Sequence, residues 1–364
     1  MENILTCLSN LEEKDVIESL KKEHVPIVIW GAGQVASVIE KYLKKKKISI
    51  ADVFVDDAYY SEKMYLNSIQ VIPKSKLLEK YKQVDVIIGF SDYQVADAQE
   101  KEEWVNEYFY FAYTAYGEFD RTPFKLIEEN ICKYQAVYDM LADKKSKDVF
   151  IAFLQTKLSG NAKYTLQVFD GRLSYFNNDL YRVTGEEVYL DVGSAAGENV
   201  KQFIAESGGH YGYIYAVEPE EKLRRDLEEY VSANEIGQFE IASKGAWNTS
   251  GTINFLFDGE SSRVCASSEK EAEGLQVELL DHMFAYKKKV TLLKIQYRDG
   301  VVEALLGAKK ILQEHRPKIA IMIGYGMDNI CKVPLLIKEL NPDYKFYLRF
   351  NRGAAQTIVL YGLI

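Results

Sequence analysis

Four polar residues, Gln296, Tyr297, Arg298 and Asp299, stand where the apolar run VTLLKI ends and the helical pattern VVEALLGAK begins. In open α/β sheets, the loop that follows a strand is where ligands bind. Arg298 carries a permanent cation whose planar fork suits a carboxylate or a phosphate, whereas Gln296 cannot take up a proton at neutral pH. Asp299 is the acid nearest the strand end, although such an acid commonly only caps a loop. The loop therefore predicts a site that positions a substrate and leaves the identity of its base open.

A second set of polar and small residues lies in EEVYLDVGSAAGENVKQFI, at 186–204, and the strand after it, YGYIYAVEPE, ends in Glu218. The order Asp-x-Gly-x-x-x-Gly, followed by a strand that ends in an acid, is typical of a class I S-adenosylmethionine site. Its glycines let the backbone approach the methionine portion, and Glu218 would accept hydrogen bonds from the two ribose hydroxyls, with a helix N-cap as its alternative role. The predicted cofactor-binding residues are Asp191, Gly193, Ser194, Gly197, Glu198, Glu218, Gly245, Ala246 and Trp247.

The apolar runs around these residues predict the elements that position them. A third strand lies in FEIASKGAW and precedes a hairpin about the turn NTSG, while VTLLKI and PKIAIMI give the fourth and fifth strands. YKFYLRF and AQTIVLYG predict a closing hairpin. The fold class predicted for the second half is therefore α/β, with a seven-stranded, doubly wound sheet whose final strand is antiparallel.

The first half begins with a strand, a glycine turn and a helix in VPIVIWGAGQVASVIEKYL, at 25–43. Gly31, Gly33 and Ala36 have the spacing that brings backbone N–H groups and a helix N-terminus to a phosphate, and Asp56 ends the next strand, where a ribose hydroxyl would be held. The pattern predicts a Rossmann-like domain. It leaves open whether these residues form a second nucleotide site or a turn that only packs a helix on a sheet. The aromatic segment EYFYFAYTAYGEF, at 107–119, predicts a strand and core, and 120–164 predicts helices.

Composition excludes several classes of function. The 364 residues carry a net charge of −9, which argues against a nucleic-acid partner, and no apolar run is long enough to predict a membrane span. The four cysteines are far apart and the four histidines are scattered, so neither structural zinc nor another metal site is predicted. The absence of a signal-peptide pattern and the unpaired cysteine spacing predict a cytoplasmic protein.

The second half resembles the FkbM-type methyltransferase family. The resemblance is carried by YFNNDLYRVTGEEVYLDVGSAAGENVKQF, YAVEPE, SKGAW, HRPKIAIMI and VPLLIKELNPDYKFYLRF. It implies S-adenosylmethionine-dependent O-methylation, often of sugars in surface polysaccharide or natural-product assembly, and an N-terminal Rossmann-like domain. The predicted organisation is a Rossmann-like domain at 1–119, a helical bridge at 120–164 and a methyltransferase domain at 165–364.

The sequence departs from the family pattern at its catalytic edge. Where relatives have a stretch resembling KIDVEGAE, this chain has KIQYRDGV, so Gln296 replaces the Asp and Arg298 replaces the first Glu. Tyr325 stands in the place of a common His, and Phe350 in the place of another. The predicted catalytic residues are accordingly Gln296, Arg298, Asp299 and Tyr325, with Asp281 and His282 as further candidates for a base.

Two hypotheses fit an intact cofactor half beside an altered catalytic edge. In the first, the protein methylates a sugar or related small molecule with altered acceptor chemistry, and Arg298 binds an anionic group. In the second, it is a catalytically degenerate relative that binds the cofactor and serves as a scaffold. A nicotinamide oxidoreductase that uses the first domain is disfavoured. The second domain would then have to supply a hydride-acceptor site, and no pattern in its sequence predicts one.

Overall fold

The computed structural model describes residues 3–8, 16–22, 25–90, 102–112, 122–169, 171, 174–176, 178–257, 262–269, 271–351 and 357–364. The protein has a mixed α/β fold whose two largest sheets are mainly parallel. The chain divides into two compact units. The first unit consists mainly of Met1–Ile131 and Asp148–Gly171, and the second mainly of Cys132–Lys147 and Arg172–Asn351.

The described strands are β1 (Ile27–Trp30), β2 (Asp52–Val55), β3 (Tyr65–Leu66), β4 (Ile69–Pro73), β5 (Val84–Ile88), β6 (Val105–Phe109), β7 (Val188–Val192), β8 (Tyr213–Val217), β9 (Phe239–Ala242), β10 (Gly245–Ala246), β11 (Gly251–Leu256), β12 (Arg263–Val264), β13 (Glu273–Glu278), β14 (Leu292–Ile295), β15 (Lys318–Met322), β16 (Lys345–Phe350) and β17 (Ile358–Leu363). The described α-helices are α1 (Ile4–Leu8), α2 (Val16–Lys22), α3 (Gln34–Lys45), α4 (Lys74–Lys80), α5 (Phe124–Glu129), α6 (Ile131–Met140), α7 (Lys144–Ser159), α8 (Lys163–Val168), α9 (Glu198–Glu206), α10 (Glu221–Ala233), α11 (Leu280–Met283), α12 (Val301–Leu306) and α13 (Asn329–Leu340). A 3₁₀ helix (Asp57–Tyr59) and a π-helical turn (Ile311–His315) complete the set.

The first unit is built on a six-stranded sheet in the order β3-β4-β2-β1-β5-β6, in which only the β3–β4 pair is antiparallel. Its central strands are buried and largely apolar, as is usual in parallel sheets with both faces covered, and Asp52 of β2 and Asp85 of β5 are their buried acids. Ile29 of β1 joins a core cluster on one face, while Val28 and Trp30 join the cluster on the other. Of the predicted aromatic segment at 107–119, residues 107–109 lie in β6 and Tyr110 and Phe111 are buried, whereas 113–119 lie outside the described residues.

The second unit contains the predicted seven-stranded sheet, in the order β16-β17-β15-β14-β7-β8-β9. Strand β17 runs antiparallel to both of its neighbours, and the other pairs are parallel. In the parallel pairing of β14 with β7, Lys294 lies directly beside Asp191. Since the carboxyl ends of β7, β8 and β14 share one edge of the sheet, the loops after these strands are brought together there.

The predicted hairpin about the turn NTSG is wrong. Strands β10 and β11, which flank that turn, are not neighbours, because β13 lies between them in a four-stranded sheet ordered β10-β13-β11-β12. Gly245 pairs in parallel with Val277, and Gly251 pairs antiparallel with the same residue. The long-range strand β13 therefore replaces the local pairing that the turn sequence favours.

The helices predicted at 120–164 are divided between the two units: residues up to 131 and from 148 belong to the first, and 132–147 to the second. Residues 143–146 are held to β16 by Arg349, whose guanidinium lies 2.7 Å from an Asp143 oxygen, 2.9 Å from Asp179 Oδ1 and 3.0 Å from Ser146 Oγ. Further along the chain, Ala162 packs in a core cluster of the first unit.

Among the described residues, no helix is both long enough and apolar enough to span a bilayer.

Candidate functional site

The turn between β7 and α9 is shaped by two glycines in the left-handed region. Gly193 has φ +78° and Gly197 has φ +91°, a conformation that glycine adopts without steric cost. A Cβ atom on Gly193 would lie 2.4 Å from the carbonyl oxygen of Gln296, and one on Gly197 would lie 2.5 Å from a Leu227 methyl carbon. The glycine spacing thus lets the loop after β14 and helix α10 approach the turn closely.

Asp191 and Lys294 form a fully buried ion pair beneath this turn. Lys294 Nζ lies 2.8 Å from Asp191 Oδ1 and donates to the carbonyl oxygen of Gly193 over 2.9 Å. Burial raises the pKa of the Asp191 carboxyl, while the lysine opposes that rise. Asp191 Oδ2 is buried and has no hydrogen-bond partner among the described residues. The pair fixes the turn to β14, and the Tyr189 hydroxyl lies close enough to the Asp191 carboxylate to oppose the rise in its pKa.

Glu218 lies at the end of β8 and is 6% exposed. Its Oε2 accepts the N–H of Ala195 over 2.8 Å, and its Oε1 accepts the N–H of Glu220 over 2.9 Å. Burial raises the pKa of Glu218 to about 6, against the lowering effect of the two backbone hydrogen bonds. The carboxylate therefore caps the backbone before α10 and also joins the glycine turn, and each oxygen retains a lone pair.

Gln296 joins two residues that are distant along the chain through its side-chain amide. Its Oε1 accepts hydrogen bonds from the Tyr175 hydroxyl and from Asn199 Nδ2, each over 3.2 Å. Its backbone N–H donates to Val192 at the end of β7. Burial raises the pKa of the neighbouring Tyr297 phenol above its usual range, and that hydroxyl accepts the N–H of Ala246 over 3.3 Å.

The segment KGAW lies against the loop after β14. Gly245 and Ala246 are buried in β10, and the Trp247 N–H donates to the Glu278 carbonyl over 2.9 Å. A Cβ atom on Gly300, which precedes α12, would lie 2.4 Å from the Trp247 ring. Trp247 therefore packs on the end of the Gln296 loop. The structure brings seven of the predicted residues to one edge of the sheet, namely Asp191, Gly193, Glu218, Gly245, Ala246, Trp247 and Gln296.

The side chains of Ser194 and Glu198, which were also predicted to bind the cofactor, form polar contacts with residues close to them in the chain. Ser194 is buried, and its hydroxyl donates to the Asp191 carbonyl over 2.9 Å. Glu198 is exposed in the first turn of α9, with Lys201 Nζ 4.0 Å away. Ser194 thus tightens the turn, whereas Glu198 faces solvent.

The predicted catalytic residues and the further candidate bases lie at separate places in the second unit. The Asp281 carboxylate accepts the N–H groups of Lys310 and Ile311, and His282 Nδ1 lies 3.1 Å from a Glu278 oxygen. Arg298 is partly buried and Asp299 is exposed in the loop after β14. Tyr325 packs, partly exposed, against the core cluster that contains Tyr175 and Tyr189.

The glycine turn of the first unit has its own packing role. Gly31 has φ +113°, and a Cβ atom at this position would lie 3.2 Å from the Gly89 carbonyl oxygen. Ala36 is fully buried. Gly33 precedes α3 with open space around it. One oxygen of Asp56 accepts the Trp30 indole N–H over 3.1 Å. The nucleotide site at these residues stays a prediction.

Three residues of the site were not predicted from the sequence. Lys294 is a charged residue inside the apolar run VTLLKI, which is itself a signal that a buried charge has a partner. Tyr175 and Asn199 carry no such signal, because their partner Gln296 is 121 and 97 residues away along the chain.

Comparison with known proteins gives a full-length match among solved structures. No protein-family model matches the sequence, and no curated protein matches it. The structure of the methyltransferase FkbM from Methylobacillus flagellatus matches with a TM-score of 0.73 and 18% identity, over 99% of this chain and 98% of that one. The chain has the fold of an FkbM methyltransferase. The resemblance predicted from the sequence is confirmed at the level of the fold, over both units.

Two further solved structures match about half of the chain. An rRNA methylase from Streptococcus thermophilus is 19% identical over 50% of this chain and 90% of its own, with a TM-score of 0.31. Fibrillarin from Aeropyrum pernix, solved with natively bound S-adenosyl-L-methionine, is 11% identical over 50% of this chain and 67% of its own, with a TM-score of 0.32.

Proposed function

We propose that the protein is an S-adenosylmethionine-dependent methyltransferase that O-methylates a sugar or a related small molecule. The observation that supports this most directly is the arrangement around the β7–α9 turn. Glu218 joins that turn through the Ala195 N–H, while Lys294 and Gln296 join it from the neighbouring strand. The full-length likeness in fold to FkbM, at 18% identity, supports the same proposal.

The residues of this edge fit the cofactor. The Asp191–Gly197 turn would hold the methionine portion, and the remaining lone pairs of Glu218 would accept the ribose hydroxyls. Asp191, fully buried beside Lys294, would hold the turn in the shape that admits the cofactor. When bound, S-adenosylmethionine supplies a methyl group on a sulfonium, which an acceptor oxygen attacks in line with the departing sulfur.

The organisation of the chain extends the proposal. The second unit would be a class I, doubly wound methyltransferase domain, and the first a Rossmann-like domain that holds a nucleotide at Gly31, Gly33, Ala36 and Asp56. The predicted domain boundaries at 119/120 and 164/165 stay part of this proposal. All four cysteines lie within the described residues and form no disulfide, which supports a cytoplasmic location.

Formation of S-adenosylhomocysteine tests the proposal. The purified full-length chain is incubated with methyl-labelled S-adenosylmethionine and a panel of sugars and sugar derivatives, with the Glu218→Gln variant beside it. Glutamine keeps the shape of Glu218 and removes its charge, so the variant should fold and transfer less label. Label on an acceptor supports the proposal. Cofactor binding without transfer to any acceptor would instead favour the degenerate, scaffold alternative, for which the loss of an acid at Gln296 is the motivating observation.

A further inference from the structure

Within the proposed function, the geometry of Gln296 points to an acceptor that is methylated on a carboxylate oxygen and held by the amide N–H groups of Gln296. The acceptor class of the proposed methyltransferase site would then be a carboxylate. A sugar that bears a carboxylate, such as a uronic acid, has this chemistry.

The amide of Gln296 is oriented by two donors on one atom. Tyr175 Oη and Asn199 Nδ2 both lie 3.2 Å from Oε1, so both lone pairs of that oxygen are used. The backbone N–H of the residue donates to Val192, and its carbonyl oxygen faces the close approach of Gly193. What Gln296 presents to a ligand is therefore the NH₂ group, with two N–H donors.

A pair of N–H donors selects an oxygen that carries negative charge. Hydrogen bonds from N–H groups to a charged acceptor are roughly twice as strong as those between neutral groups. A neutral sugar hydroxyl must give up its proton to a base in the course of the attack, and an amide group cannot take up that proton. A carboxylate has no proton to lose, so Gln296 suits it without any further group.

Of the four candidate bases, Tyr325 carries a phenol, which ordinarily keeps its proton at neutral pH, and the other three make other contacts or face solvent. Asp281 accepts two backbone N–H groups, and His282 lies beside Glu278. Asp299, in the next turn of the loop, is exposed to solvent. Within the described part of the chain, none of these three hydrogen-bonds to Gln296. The arrangement is thus one for positioning an anion rather than for deprotonating an alcohol.

The methyl transfer on such an acceptor balances without a base. A lone pair of the carboxylate oxygen forms the new O–CH₃ bond, while the CH₃–S bond breaks and its electron pair stays on sulfur. The anionic carboxylate and the cationic sulfonium become a neutral methyl ester and a neutral thioether. No proton moves, and the reactants supply all the atoms and electrons.

The test compares D-glucuronate with D-glucose as acceptors for methyl-labelled S-adenosylmethionine. A methyl ester releases volatile labelled methanol in alkali, whereas a methyl ether on a hydroxyl is stable there, so one treatment separates the two products. Gln296→Glu keeps an oxygen for Tyr175 and Asn199 and puts a negative charge where the NH₂ group stood. The control is Gln313→Glu, which makes the same change of charge on an exposed glutamine.

We expect alkali-labile label on glucuronate and little label on glucose. Loss of a hydrogen bond to a charged group should raise the KM for glucuronate about tenfold to a hundredfold in Gln296→Glu, and Gln313→Glu should leave it unchanged. The kcat for glucose should rise in Gln296→Glu, because the new carboxylate can accept the hydroxyl proton.

Three results would overturn the inference. Alkali-stable label on glucose or on a glucuronate hydroxyl would leave the proposed function standing and refute the acceptor class. Weaker cofactor binding in Gln296→Glu, with an unchanged KM for glucuronate, would assign the amide to the cofactor instead. Cofactor binding in calorimetry without methylation of glucuronate would likewise count against a carboxylate acceptor. Failure of the wild-type protein to bind S-adenosylmethionine would instead refute the proposed function itself.

Discussion

Replacement of Glu218 by glutamine should change how the stability of the protein depends on pH. Glu218 is buried, and its pKa rises from the ordinary 4.5 to about 6 in the folded chain. Folding therefore favours the protonated carboxyl. The stability that this group contributes is fully present below about pH 4.5 and is lost as the pH rises through about 6.

The size of the effect follows from the shift. A difference of about 1.5 pKa units corresponds to about 2 kcal/mol between the fully protonated and fully ionised limits. Of this, about 1.2 kcal/mol is lost between about pH 5 and pH 7.5. Glutamine has the same shape but does not titrate, so the cost of turning its NH₂ group towards a backbone N–H is constant with pH.

Urea unfolding of both proteins at the two pH values measures the effect. The free energy of unfolding of the wild-type protein, relative to that of Glu218→Gln, should be about 1.2 kcal/mol lower at pH 7.5 than at pH 5. The comparison cancels the titration of all other groups. A difference between the two proteins that stays constant with pH, or that grows in the opposite direction, would refute the burial argument.

Three further predictions concern the same turn. Lys294→Met should destabilise the protein by about 3–5 kcal/mol in urea unfolding, because it leaves Asp191 buried without its cation. The double variant Lys294→Met/Asp191→Asn should recover at least half of that loss, and a single variant as stable as the wild type would contradict the ion pair. Gly197→Ala should cost about 1–3 kcal/mol because the new methyl group meets a packed leucine at a left-handed φ, while Gly237→Ala, at an exposed site with open space, should change the unfolding free energy by less than about 0.5 kcal/mol. Binding of S-adenosylmethionine should weaken about tenfold between about pH 7.5 and pH 5 in the wild-type protein, as Glu218 loses its charge, and calorimetry of Glu218→Gln should show no such slope.

The elements that end in the site were predictable because each is encoded locally. The strand containing Asp191 is an apolar run followed by a glycine turn and a helical pattern, and Glu218 closes the next apolar run. The structure places both residues at the carboxyl edge of the predicted sheet. Apolar periodicity and turn residues are sufficient for this level of description, since they depend on neighbours along the chain.

The contacts between distant residues of the candidate site were not predictable in the same way. Lys294 and Asp191 are 103 residues apart and meet only because β14 pairs with β7. Tyr175 precedes the whole sheet in the chain, yet its hydroxyl reaches Gln296. The wrong hairpin has the same origin, because local turn residues favoured a pairing that the more distant β13 displaced. Tertiary pairing of this kind leaves no periodic signal in either partner.

The central claim is that the edge formed by the Asp191–Gly197 turn and Glu218 binds S-adenosylmethionine. Titration of the purified wild-type protein with S-adenosylmethionine in a calorimeter at about pH 7.5 tests it most directly. Glu218→Gln is the matched variant, because any uncharged residue at Asp191 would leave the buried Lys294 cation without its counter-charge and confuse loss of binding with loss of folding. We expect saturable binding of one molecule per chain to the wild-type protein and weaker binding to a variant that unfolds as cooperatively as the wild type. A folded wild-type protein that releases no heat of binding would contradict it.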